Sequence, residues 1–97
     1  MNSRGVKTYQ YGDTIRFKCV FHDFNNTKIN PDSVKIIIYN YKYEVLFESI
    51  VENSGEIGEY TYDFTTEKKR QKLFYEWNGE INGRISLKRN EFMTEFI

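Results

Sequence analysis

The feature that most constrains this chain is alternation of apolar and polar residues at period two, in short runs broken by turn-forming residues. From Thr14 to Phe21 the odd positions Ile15, Phe17, Cys19 and Phe21 are apolar, while Thr14, Arg16 and Lys18 are polar. That is the pattern of a strand with one face buried. Val34 to Tyr39 is β-branched or aromatic on both faces apart from Lys35, as expected of a central, fully covered strand. A tight turn at Asn40 to Lys42 leads to its hairpin partner, in which Tyr43, Val45 and Phe47 alternate with Glu44 and Glu48. After the polar loop Glu52 to Gly58 come Tyr60, Tyr62 and Phe64 on one face of a further strand. Leu73, Tyr75 and Trp77 alternate with Phe74, Glu76 and Asn78, and Asn82-Gly83 favours a type I′ hairpin. Ile85, Leu87 and the pair Phe92 and Phe96 extend the returning strand, with a bulge expected near Arg89-Asn90. No long helical stripe appears.

Asp23 to Thr27 and Tyr11-Gly12-Asp13 read as turns, because Asn and Asp bond their own backbone and tolerate left-handed geometry. About seven strands at this spacing predict an all-β, immunoglobulin-like antiparallel β-sandwich. The 97 residues fit one such domain, spanning 1–97, with 1–11 expected as a flexible arm. Eight Tyr and eight Phe bring large apolar areas to a small core. The single Cys19 excludes an internal disulfide and shares the parity of the apolar residues, so it reads as a small buried hydrophobe.

Fourteen basic and fourteen acidic side chains cancel, which disfavours general nucleic-acid binding and attraction to an anionic membrane. No apolar run reaches membrane-spanning length, and the first residues lack the apolar core of a secretory signal, so the expected product is made in the cytoplasm.

The order of motifs is Tyr11-Gly12-Asp13-Thr14, Asp23 to Asn26, Asn30-Pro31-Asp32-Ser33-Val34 and Gly58-Glu59-Tyr60-Thr61-Tyr62-Asp63-Phe64. Phe74 to Glu80, Asn82-Gly83 and Arg89 to Phe96 complete it. This resembles small immunoglobulin-like proteins that tailed bacteriophages carry among their head and neck structural genes. The resemblance implies a virion component, a capsid decoration or a piece of the head-to-tail connection, held by protein partners as an oligomer in the assembly. It brings no catalytic residue, metal or cofactor.

Chemistry-bearing residues are few. His22 beside Asp23 has the composition of an acid/base pair, but lacks a nucleophile placed by sequence and reads as a strand-end residue facing water. Asp13, Asp23, Asp32 and Asp63 do not follow the spacing of a calcium loop. Glu44, Glu48, Glu76 and Glu80 alternate with apolar residues and read as the wet faces of strands. Tyrosines at 39, 41, 43, 60 and 62 would, on one sheet face, stack on sugar rings, which makes a carbohydrate or cell-surface module the alternative function. The expected partner contacts are Tyr9, Tyr11, Tyr39, Tyr41 and Tyr60, with the basic run Lys68, Lys69 and Arg70 available to an acidic surface.

Overall fold

The computed structural model describes residues 7–10, 12–66 and 69–95, with the side chains of Lys7 and Glu95 left aside. Seven strands run in the order β1 (Lys7–Gln10), β2 (Thr14–Val20), β3 (Ser33–Tyr39), β4 (Val45–Ile50), β5 (Glu59–Thr65), β6 (Gln71–Ile81) and β7 (Arg84–Glu95). A five-stranded sheet in the order β1-β7-β6-β3-β4 faces the β2-β5 pair, and the two form an all-β sandwich. All pairings are antiparallel except β1 with β7, which run parallel with Lys7 opposite Phe92. Residues 7–10 are therefore a strand, where an arm was expected.

The alternation of β2 places Ile15, Phe17 and Cys19 inside, and Phe21 follows them into the core. Against them pack Ile36 and Ile38 of β3, Leu73 and Trp77 of β6, and Phe92 of β7. Aromatic pairs join the layers: Phe17 meets Tyr75 at 4.4 Å and Phe92 at 5.4 Å, and Phe47 of β4 meets Tyr62 of β5 at 5.5 Å. Such pairs contribute roughly 0.5–1.5 kcal/mol each beyond area burial, and no disulfide supports them because Cys19 is a free buried thiol.

The β6–β7 turn matches its sequence signal. Asn82 and Gly83 have φ of 50° and 78°, as a type I′ turn requires, and Ile81 pairs with Arg84. The expected bulge at Arg89-Asn90 is absent, since pairing runs unbroken from Ile81–Arg84 to Gln71–Thr94. The irregularity lies between β3 and β4 instead, where Ile38 pairs with Phe47 but Tyr39 pairs with Val45, leaving Leu46 as the extra residue. Tyr43, expected in the strand, belongs to the turn. Asn40 Oδ1 accepts from the N–H groups of Lys42 and Glu44, and Tyr43 sits at φ 63°.

β1 covers only the Phe92–Glu95 end of β7. The stretch of β7 from Arg84 to Asn90 therefore has a strand partner on one side alone. There the sandwich has an open seam, with β7 on one side and β2 on the other.

Candidate functional site

Strand directions bring the β2–β3 loop, the β4–β5 loop and the β6–β7 turn to one end of the sandwich. Local hydrogen bonds fix these loops. Asp23 Oδ1 accepts from the N–H groups of Asn25 and Thr27, the Asp23 N–H donates to the Thr27 carbonyl, and the Asn26 N–H donates to the Asp23 carbonyl. Asn30 Oδ1 accepts from the Gly58 N–H at 2.7 Å and from Asn53 Nδ2 at 3.1 Å, tying the first two loops together.

On this tightly bonded turn stands Phe24, 94% exposed. Ile57 and Ile85 are also largely exposed at this end. Phe24 overlooks an open cleft of about 700 Å³ between the β2–β3 loop and the β6–β7 hairpin, also lined by His22, Ile29, Ile81, Arg84 and Ile85. Burying a phenylalanine is worth roughly 1.5–3 kcal/mol, and the hydrogen-bonded turn leaves this ring in water. The Arg84 guanidinium has no hydrogen-bond or ion-pair partner among the described residues.

A second, smaller cleft of about 220 Å³ continues along the seam, lined by Lys18, Cys19, Trp77, Lys88 and Asn90 among others. Lys88 Nζ crosses it to donate to the Val20 carbonyl at 2.6 Å. Trp77 Nε1 is the one buried side-chain polar atom without a hydrogen-bond partner among the described residues.

The outer face of the five-stranded sheet carries a polar network. Glu76, expected on a wet strand face, is only 4% exposed. Arg89 donates to its Oε1 from both Nε and Nη2, while Tyr39 and Asn78 donate to Oε2. Burial alone would push the Glu76 carboxyl up, but the hydrogen bonds from Arg89 and Asn78 outweigh it and hold the group below the usual range. The Arg89 guanidinium lies 5.6 Å from the Tyr39 ring and 5.7 Å from Tyr43, which stacks on Phe74 at 4.6 Å.

The residues expected to touch partners do not share one surface. Tyr60 is buried, its ring against Phe21 at 5.6 Å, because Tyr60, Tyr62 and Phe64 take the inward parity of β5. Tyr39 and Tyr43 lie on the outer face of the other sheet, so the five tyrosines form no single stacking platform. Tyr9 packs edge-on against Phe92 at 6.1 Å. Tyr41, Lys69 and Arg70 are exposed at the end opposite Phe24, and Tyr11 and Lys68 lie outside the described residues. Asp13 accepts from the Gln10 N–H at that opposite end, Asp63 pairs with Arg16 mid-strand, and Asp23 serves its own turn. Asp32, whose N–H donates to the Glu80 carbonyl, lies at the Phe24 end with Asp23, so the four aspartates do not meet at one place, and no group of three or more metal-ligating side chains occurs among the described residues.

Sequence reasoning missed Phe24, Arg84 and the seam. A large apolar residue inside the polar turn Asp23 to Thr27 was the available signal for the first. The others depend on how far β1 extends along β7, which no local pattern encodes. Comparison with protein-family models, with curated proteins and with solved structures finds no match.

Proposed function

We propose that this domain is a non-enzymatic protein-binding module, a structural component of a bacteriophage particle, and that it engages its neighbour through the Phe24 end. The observation that carries the reading is Phe24 itself, an aromatic ring held in water by a loop with its own hydrogen bonds and set beside an open cleft of mixed polar and apolar lining. Aromatic anchors beside a pocket supply most of the energy of protein interfaces. The particle setting rests only on the resemblance of this motif order to that of small immunoglobulin-like head and neck proteins of phages.

Mass spectrometry on density-gradient-purified particles tests the reading. A fixed ratio of this chain to the major capsid protein is the expected result, and confinement to particle-free fractions would contradict it.

A further inference from the structure

The open seam beside β7 is built differently from the rest of the sheet. The two-residue turn makes Ile81–Arg84 a hydrogen-bonded pair, so Gly79–Ser86, Trp77–Lys88 and Tyr75–Asn90 follow as hydrogen-bonded pairs. The backbone groups of Ile85, Leu87 and Arg89 then point away from β6, toward the free edge. The Glu91 N–H agrees with this phase: it turns outward and is taken by the Asn90 side chain at 2.8 Å.

Side chains alternate accordingly. Ile85 and Leu87, both more than half exposed, stand on the outer face. Arg84, Ser86, Lys88 and Asn90 take the inward parity, where a closed sandwich would carry apolar residues. Neither Arg84 nor Lys88 has a carboxylate partner among the described residues. Lys88 commits one of its donors to the Val20 carbonyl and keeps two. Trp77, whose buried indole N–H has no hydrogen-bond partner among the described residues, is one of the residues lining the same cleft.

We propose that the free Arg84–Asn90 edge of β7 receives an extended strand from a partner protein, carrying carboxylates four residues apart to meet Arg84 and Lys88. Those two positions are ~13 Å apart along one face of a strand at 3.3 Å per residue. Main-chain hydrogen bonds to Ile85, Leu87 and Arg89 supply affinity, and the two cations select the acidic sequence. The proposal rests on the reading of the domain as a protein-binding module, and it names the partner's chemistry and conformation.

The probes are three nine-residue peptides, acetyl-Ser-Val-X-Val-Thr-Val-X-Val-Ser-amide, with X as Glu, Gln or Lys, added to the full chain. The single tryptophan gives one indole N–H resonance as reporter. The Glu peptide is expected to shift that resonance, to slow exchange of the Ile85, Leu87 and Arg89 amides, and to bind about tenfold tighter than the Lys peptide. The double substitution Arg84→Glu with Lys88→Glu is expected to reverse the order, which loss of folding would not produce. Equal binding of all three peptides, or no added protection with any, overturns the proposal.

Other occupants leave different traces. Protection of those amides without peptide that rises with protein concentration assigns the edge to a second copy. Protection that is independent of concentration and vanishes when residues 1–6 are deleted assigns it to the chain itself. Either overturns the partner strand. The peptide assay uses no particles, so it fails separately from the particle test of function.

Discussion

Arg89 binds one oxygen of Glu76 through two N–H groups across the β6–β7 pair, on a sheet face that the alternation of the sequence marks as wet. The carboxylate is buried and the guanidinium is half exposed, so their loss is unequal. Removing Arg89 leaves a buried charge with only Tyr39 and Asn78 as donors. Arg89→Ala is expected to lower unfolding stability by about 2 kcal/mol in urea titration. An effect within a few tenths would show that water replaces the guanidinium without penalty.

The same pair sets an acid limb. The Glu76 carboxyl is held below its ordinary value in the folded protein. Its stabilisation is therefore fully present above the unfolded-state pKa, about 4.3 for Glu, and is lost as pH falls through the lower folded value. Glu59 and Asp63 shift in the same direction through Lys18 and Arg16 at the surface, so they share the limb. Glu76→Gln is expected to flatten the fall in stability as pH drops below about 4.3, the unfolded-state value, as read by urea midpoints. An unchanged slope would assign the acid limb elsewhere.

Two glycines with nearly equal φ separate backbone strain from crowding. Gly58 has φ +79° and Gly83 has φ +78°. A Cβ at Gly83 meets open space, whereas one at Gly58 would lie 2.8 Å from the Phe21 carbonyl oxygen and 3.2 Å from that of Ile29. Gly83→Ala is expected to cost about 1–2 kcal/mol, the penalty of left-handed geometry alone. Gly58→Ala should cost at least 1 kcal/mol more, because backbone cannot step aside. Equal losses in thermal denaturation would contradict the packing described for the loop end.

Gly79 faces Phe21 rather than a turn. A Cβ there would lie 2.9 Å from ring atoms Cδ1 and Cζ and closer still to Cε1. Gly79→Ala should cost about 1–3 kcal/mol, and Phe21→Leu in the same chain should recover part of that loss. Additive losses in the double variant would mean that the two residues do not share the space.

Much of this architecture is legible in local pattern. Ile15, Phe17 and Cys19 alternate because β2 has one wet face, and Asn82-Gly83 supplies both positive φ angles of its turn. What is not legible depends on partners far along the chain. Glu76 looks like a surface acid until Arg89, Tyr39 and Asn78 are placed around it from three positions. Tyr43 looks like a strand residue until Asn40 caps the turn and Phe74 offers its ring a stacking partner. Tyr60 reads as a surface tyrosine only if the direction of β5 is unknown. The loop-end surface combines a signal present in the sequence, Phe24 among turn residues, with Arg84 and Ile85, which matter only once folding brings the hairpin beside that turn.

If the Phe24 end is the contact surface, as proposed, two variants at opposite ends of the sandwich will differ in their incorporation into particles. Phe24→Asp changes a ring that touches no core residue, while Tyr41→Ala alters an exposed ring at the opposite end. With both variants shown to be folded by circular dichroism, mass spectrometry of gradient-purified particles should find Tyr41→Ala at the wild-type ratio to the major capsid protein. Phe24→Asp should fall at least tenfold, as expected when a central aromatic anchor worth about 2 kcal/mol or more is lost. Equal incorporation of the two variants, or loss of Tyr41→Ala alone, would contradict the account.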